Sequence, residues 1–270
     1  MRAHFGDLLR LALLLHENHD LDASGEQYLL LLRFRPDNAG LHNNYGIVLL
    51  DQRRVDEAMG QFDEAQRLDP QMAEAHHNYA ICLALKKNLD GAITEFHRAL
   101  DLNPEEPHSH EWLGAALSQK GNVAEAMDEF QQAVEKNPKD ARVHASLGGV
   151  LLQLKEEAGA IKELKLALEL KPEDPEAANN LAWVYATADD PKLRNPVEAL
   201  RLARIAVEKS PSPNPAYLDT LAEALVLNGK PAEALALEEK ALALDPQNPE
   251  LQSRMARFRQ AAGPAPSSNN

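Results

Sequence analysis

The chain has 270 residues, with 42 Asp and Glu against 28 Lys and Arg, a formal net charge of −14. That balance excludes binding to nucleic acid or to an anionic membrane surface, which requires an excess of bases to neutralise phosphates. Aromatics make up only 5%, and the single cysteine, Cys82, allows no internal disulfide and leaves the redox compartment open. Ala, Leu and Glu dominate, which favours helix over strand.

The chain opens with MRAHFGDLLRLALLLHENHD. An apolar run after an early Arg is a feature of secretory signals. Here Asp7 and Arg10 interrupt it, and HENHD offers no small-residue cleavage site. The segment therefore reads as a first amphipathic helix. No apolar run reaches the roughly 18 residues of a membrane span, so no direct membrane insertion is expected. A cytoplasmic location is expected, with a periplasmic or envelope-associated one as the alternative.

From there the chain repeats. Pro36, Pro70, Pro104, Pro138 and Pro172 are 34 residues apart. Nine and ten residues after each comes a large-then-small pair: Tyr45-Gly46, Tyr79-Ala80, Leu113-Gly114, Leu147-Gly148, Leu181-Ala182. Five before the next proline stands Ala65, Ala99, Ala133 or Ala167; eight before stands Phe62, Phe96, Phe130 or Leu164; twelve before stands Ala58, Ala92, Ala126 or Ala160. A fixed period of this kind marks one supersecondary unit stacked in series.

The residues resemble the tetratricopeptide repeat (TPR), a helix–turn–helix unit of 34 residues, in a bacterial type of array. His replaces the family's first tryptophan, but the leucine–glycine pair, the alanines, the aromatic and the closing proline all have counterparts. The resemblance implies an all-α, right-handed superhelical solenoid. Its units are expected over about 3–36, 37–70, 71–104, 105–138, 139–172, 173–211 and 212–246, with a capping helix over 248–261 and a disordered tail over 262–270, making one solenoid of 1–261. The sixth unit is longer: five extra residues fall within ATADDPKLRNP, between its two helices. Glu238 of the last unit stands where earlier units carry Phe or Leu.

His42, His76, His110 and His144 follow the same period. They fall on the packed stripe of each first helix. Equivalent positions on stacked helices lie about 8–10 Å apart, too far to share a zinc ion. No metal and no cofactor is expected. DLDASG from Asp20 matches the first half of a calcium loop, but its twelfth residue is Leu31 rather than Glu. HENH lacks the spacing of a zinc protease, and no nucleophile–base pairing is supported by spacing. Cys82 reads as a small core residue.

Function then falls to the face opposite the packed stripe. Eight residues into each unit stand Arg10, Asn44, Asn78, Trp112, Ser146, Asn180 and Thr220. An asparagine there resembles the ladder in the repeats of O-GlcNAc transferase, which grips an extended peptide through its backbone; Asn offers both a donor and an acceptor. Neighbouring offsets add Glu17, Asp51, Glu74, Glu111, Glu176, Asp219 and Glu223 against only Arg10 and Arg142. The lysines of the family's carboxylate clamp are absent. The candidate peptide-binding residues are Asn44, Asn78, Trp112, Asn179, Asn180, Trp183, Asp219 and Glu223, the last five clustered near the lengthened loop. The reading is a non-catalytic protein-interaction scaffold or adaptor that binds an extended, neutral-to-basic segment of a protein partner. The alternative is the TPR interaction region of a larger bacterial enzyme or cell-envelope assembly protein. Oligomeric state is not encoded in any of these signals.

Overall fold

Each helix starts and stops where local chemistry dictates. Asp20, Asn38, Asn88, Asp140, Asp174, Asn195 and Asn214 each accept a backbone N–H two or three residues ahead, closing the first turn of the helix that follows. Pro175, Pro196, Pro215 and Pro231 open helices at the first position, where a missing N–H costs nothing. The computed structural model describes residues 2–262. All but Ala262 of the tail expected to be disordered lies outside them.

Fifteen helices follow one another among these residues. They are α1 (Arg2–Glu17), α2 (Leu21–Phe34), α3 (Ala39–Asp51), α4 (Val55–Leu68), α5 (Ala73–Leu85), α6 (Leu89–Leu102), α7 (Pro107–Lys120) and α8 (Val123–Lys136), then α9 (Ala141–Gln153), α10 (Glu157–Leu170), α11 (Pro175–Thr187), α12 (Pro196–Lys209), α13 (Pro215–Leu227), α14 (Pro231–Leu244) and α15 (Pro249–Ala262). They group into two compact units divided between Asn137 and Pro138. In each unit odd and even helices pair within a repeat, and each even helix also packs on the next odd one. Neighbouring odd helices touch as well, α3 with α5 and α5 with α7 in unit 1, α9 with α11 and α11 with α13 in unit 2. Within each unit the odd helices thus share an inner face.

The core is a ladder of small against large. Phe62, Phe96 and Leu164 have no exposed surface, nor do Ala58, Ala92 and Ala160. Gly46 sits so close to the Phe62 ring that a Cβ there would lie 2.5 Å from it. The turn between paired helices needs one left-handed residue, at His19, Arg53, Lys87, Gly121 and Lys155, again 34 apart. In the sixth repeat the longer connection replaces this turn. It is pinned by Asn195 N–H to Tyr185 O at 2.9 Å, Arg194 Nε to Ala188 O at 2.7 Å and Asp189 N–H to Glu157 at 2.9 Å.

The periodic histidines serve this ladder. The Nε2 atoms of His42, His76, His110 and His144 lie 2.9, 3.2, 3.3 and 3.1 Å from the carbonyl oxygens of Pro36, Pro70, Pro104 and Pro138. Their Nδ1 atoms lie 2.8, 2.7, 2.7 and 2.8 Å from Gln61, Glu95, Glu129 and Glu163 of the paired helix. Each ring therefore ties a first helix to its second helix and to the turn before it. Both ring nitrogens of each histidine thus have an oxygen partner. The Glu129 carboxylate raises the pKa of His110 above its ordinary value of 6.5, against the opposing effect of burial.

Two outcomes follow for unit 1. Phe96→Ala should cost about 3–5 kcal/mol, seen as lost hydrogen-exchange protection concentrated in α5, α6 and their neighbours, because solenoid energetics are largely nearest-neighbour. A uniform loss along the chain would contradict this packing scheme. The His110 pair should contribute stability that is fully present below pH 6.5 and lost as pH rises through the raised value. His110→Gln should therefore flatten the fall in thermal stability between pH 6 and pH 9, read from melting curves of the two proteins.

Candidate functional site

On the inner face of unit 1, α3, α5 and α7 with the end of α6 enclose a cavity of about 630 Å³. Asn44, Asn78 and Trp112, one from each odd helix, line it together, as the eight-residue register predicts. Asn78 donates from Nδ2 to Oδ1 of the buried Asn43 at 3.0 Å. That bond uses one Asn78 N–H and ties the two helices' amides together beside the cavity. Asn44 lies beside the hydroxyl of the buried Tyr28, where it opposes the rise in the tyrosine pKa that burial causes.

Behind these amides His77 rests edge-on against Phe96, ring centres 5.7 Å apart, with Nδ1 2.8 Å from Ser109 Oγ. Burial pushes the His77 pKa down to about 4, so the ring is neutral at physiological pH and shares a hydrogen bond with the Ser109 hydroxyl. Glu106 caps α7 by accepting the Ser109 N–H at 3.0 Å. Glu74 and Glu106 give the lining two carboxylates, and no lysine or arginine is among its residues. The cavity is thus a trough with two carboxylates, several amides and one aromatic wall.

In unit 2 the candidate residues are engaged from within the chain. Arg254 of α15 lies 4.8 Å from the Trp183 ring centre, pairs with Asp219 and reaches Glu250 at 3.1 Å. Arg257, one turn on, pairs with Glu223. Asp219 and Glu223 are only 5% and 6% exposed. Trp183, Thr187, Glu223, Ser253, Arg254 and Arg257 leave a small recess of about 330 Å³. Trp183, Asp219 and Glu223 do come together, but around the chain's own guanidinium groups. Asn179 is buried with its Oδ1 unbonded, and its Nδ2 lies 3.5 Å from Oδ1 of the half-buried Asn180.

Arg254 and Arg257 were not among the residues picked out by sequence, although the signal was present. They stand eight and eleven residues after Pro246. Continuing the repeat frame past that proline turns α15 into the first helix of an eighth repeat and places both arginines on the inner face. On its other side α15 buries Leu251, Met255 and Phe258. The partners of the periodic histidines were likewise legible: Gln61, Glu95, Glu129 and Glu163 stand nine residues before successive prolines.

Beneath α15 lies a buried acid pair. Glu238 is fully buried beside Asp219, and neither Glu238 oxygen nor Asp219 Oδ1 has a hydrogen-bond partner. Burial, then the Asp219 charge, raises the Glu238 pKa. Burial also raises that of Asp219, opposed by Arg254. Because Arg254 stabilises the Asp219 anion, Glu238 is the member that holds the proton. Cys82, fully buried, has its thiol pushed up to about 11 by burial and is a packing residue.

Paired helices at a 34-residue period with a lined inner face define an all-α repeat scaffold of the kind built for protein–protein contacts. The chain belongs to the tetratricopeptide-repeat family: tetratricopeptide-repeat family models match residues 44–107, 83–150, 117–184 and 192–249. Among curated proteins no sequence matches it. Among solved structures it is similar to PilF of Pseudomonas aeruginosa, at 21% identity and a TM-score of 0.70 over 81% of this chain and 97% of that one. It is similar too to PilW, described as a widely conserved type IV pilus biogenesis factor, at 20% identity and a TM-score of 0.66 over 80% and 98%. YrrB, described as a TPR protein with an unusual peptide-binding site, matches at 20% identity and 0.60 over 76% and 99%. These likenesses are of fold. No helix among the described residues is long and apolar enough to cross a membrane.

Replacing the buried acid tests its energetic role. A carboxyl whose folded pKa lies above the ordinary 4.5 destabilises the fold increasingly as pH rises from there through the folded value. Glu238→Leu, the residue type of earlier repeats, should therefore raise the melting temperature of unit 2, and more at pH 8 than at pH 5. An equal gain at both would mean that Glu238 is not the titrating group.

Proposed function

We propose that the chain is a scaffold without chemistry of its own, and that it holds an extended, neutral-to-basic segment of a protein partner on the inner face of unit 1. The observation that carries this reading is the cavity where Asn44, Asn78 and Trp112 meet two carboxylates and no lysine or arginine. An asparagine amide, with both a donor and an acceptor, can pair with a peptide group whatever side chain follows it. The indole face takes an apolar or planar group, as aromatic anchors do in protein interfaces. The carboxylates bias the partner toward positive charge. YrrB, with its peptide-binding site, shares the fold and supports a peptide-sized ligand.

A second reading, cell-envelope assembly, is favoured by the likeness to the pilus biogenesis factor PilW. It concerns where the partner resides rather than how it is held. The two are compatible at the level of the cavity.

The test begins with a partner recovered by pull-down and mass spectrometry. Trp112→Ala should then weaken its binding by about 2 kcal/mol or more if the indole is an anchor. Asn78→Ala should weaken it less, with the circular dichroism spectrum unchanged. Affinity should fall with added salt, since exposed charges are screened over about 8 Å at physiological ionic strength. A partner that contacts the even helices and is indifferent to both substitutions would remove this reading while leaving the fold intact.

A further inference from the structure

Unit 2 shows what this scaffold does with an aromatic and a carboxylate on its inner face. Trp183 and Asp219 together hold one guanidinium, that of Arg254, over the indole ring at 4.8 Å. The combination is chemically selective. A guanidinium is planar, weakly hydrated and carries five donors in a fixed fork, so it can stack on an indole while its edges bond to oxygen. An ammonium is a strongly hydrated point charge and does this less well.

Unit 1 presents the same chemistry with no guanidinium of its own in it. Trp112 forms one wall of the 630 Å³ cavity; Glu74 and Glu106 supply carboxylates, and Asn78 supplies a neutral amide. Some of their bonds are already made. Asn78 has an N–H on Asn43, Glu106 has one oxygen on the Ser109 N–H, and Ser109 is bonded to His77. The lining holds two carboxylates and no lysine or arginine, which suits a cationic ligand rich in donors. We propose that this cavity is an arginine-recognition pocket, in which a partner's arginine side chain stacks on Trp112 and is bonded by Glu74, Glu106 and Asn78. The assignment rests on the peptide-binding reading of the same face and names the side chain that anchors the peptide there.

The pocket differs from its counterpart in unit 2 in one respect that matters for function. There the arginine arrives on α15, tethered and permanently supplied. In unit 1 it must come from another molecule, so occupancy depends on that molecule's concentration and on salt.

The experiment uses the full chain, labelled with ¹⁵N, and three synthetic peptides of one Gly/Ser sequence whose central residue is arginine, lysine or citrulline. Citrulline keeps the shape of arginine and removes the charge and two of its donors. The arginine peptide should bind about ten-fold tighter than the citrulline peptide and measurably tighter than the lysine peptide, with shifts at the Trp112 indole and at the amides of residues 73–78. Trp112→Ala should abolish the preference for arginine. Glu74→Gln with Glu106→Gln, which keeps an acceptor to cap α7, should reduce it by a similar factor and remove its salt dependence. Equal binding of all three peptides at the cavity would overturn the arginine assignment and leave peptide binding standing. Shifts confined to other helices, or no binding by any of the three, would overturn both.

Discussion

The whole array depends on one contact, a large side chain from a second helix pressed onto a small residue of its paired first helix. At Gly46 the Phe62 ring occupies the space of a Cβ, and at Gly148 the Leu164 side chain does the same. That approach fixes the distance between paired helices, and the distance in turn decides where the odd helices meet their neighbours. Apolar residues do not fill these pairs from every side; each pair is left with a face that only the next repeat can cover. The inner face, with its cavity, is a by-product of that spacing. Asn44, Asn78 and Trp112 share a cavity because three identical contacts hold α3, α5 and α7 in step.

The histidines add a polar layer to the same scheme. A tryptophan at this position would pack but would offer a single ring N–H, enough for only one of the two oxygens. Histidine places a ring nitrogen toward each. In His144 the bridging ring is 1% exposed, so the contact with Glu163 sits inside the fold rather than on its rim. Three of the four rings face a glutamate carboxylate and the first faces the Gln61 amide.

Most of this was legible from spacing. Prolines, alanines and Phe or Leu at fixed offsets gave the helix pairs, and the eight-residue offset gave the residues that line the cavity. What spacing could not give was depth. A helical wheel gives Thr220 and Asn180 the same direction, eight residues into their repeats, yet Thr220 is buried while Asn180 is half-exposed. Asn179, one position around the helix, turns inward and is buried. Periodicity fixes an angle around one helix; burial depends on how far the neighbouring helix leans over it, which is set by residues elsewhere in the chain. Arg254 and Arg257 are hidden for a simpler reason: α15 has no paired second helix among the described residues, so it carries only half of the repeat's signature.

The buried acid of the seventh repeat has a consequence for how such an array can change length. Interior repeats carry Phe or Leu at the position of Glu238 and present the same surfaces fore and aft, so unequal recombination can duplicate or delete one of them and leave every junction intact. The seventh repeat is not interchangeable in this way. Its Asp219, beside Glu238, is matched to an arginine eight residues beyond the next proline, and the interior repeats carry Asn, Trp or Ser there. A copy of an interior repeat inserted after Pro246 would set an uncompensated carboxylate pair inside a new junction. Insertion at that junction is therefore penalised by charge, where insertion between interior repeats is not.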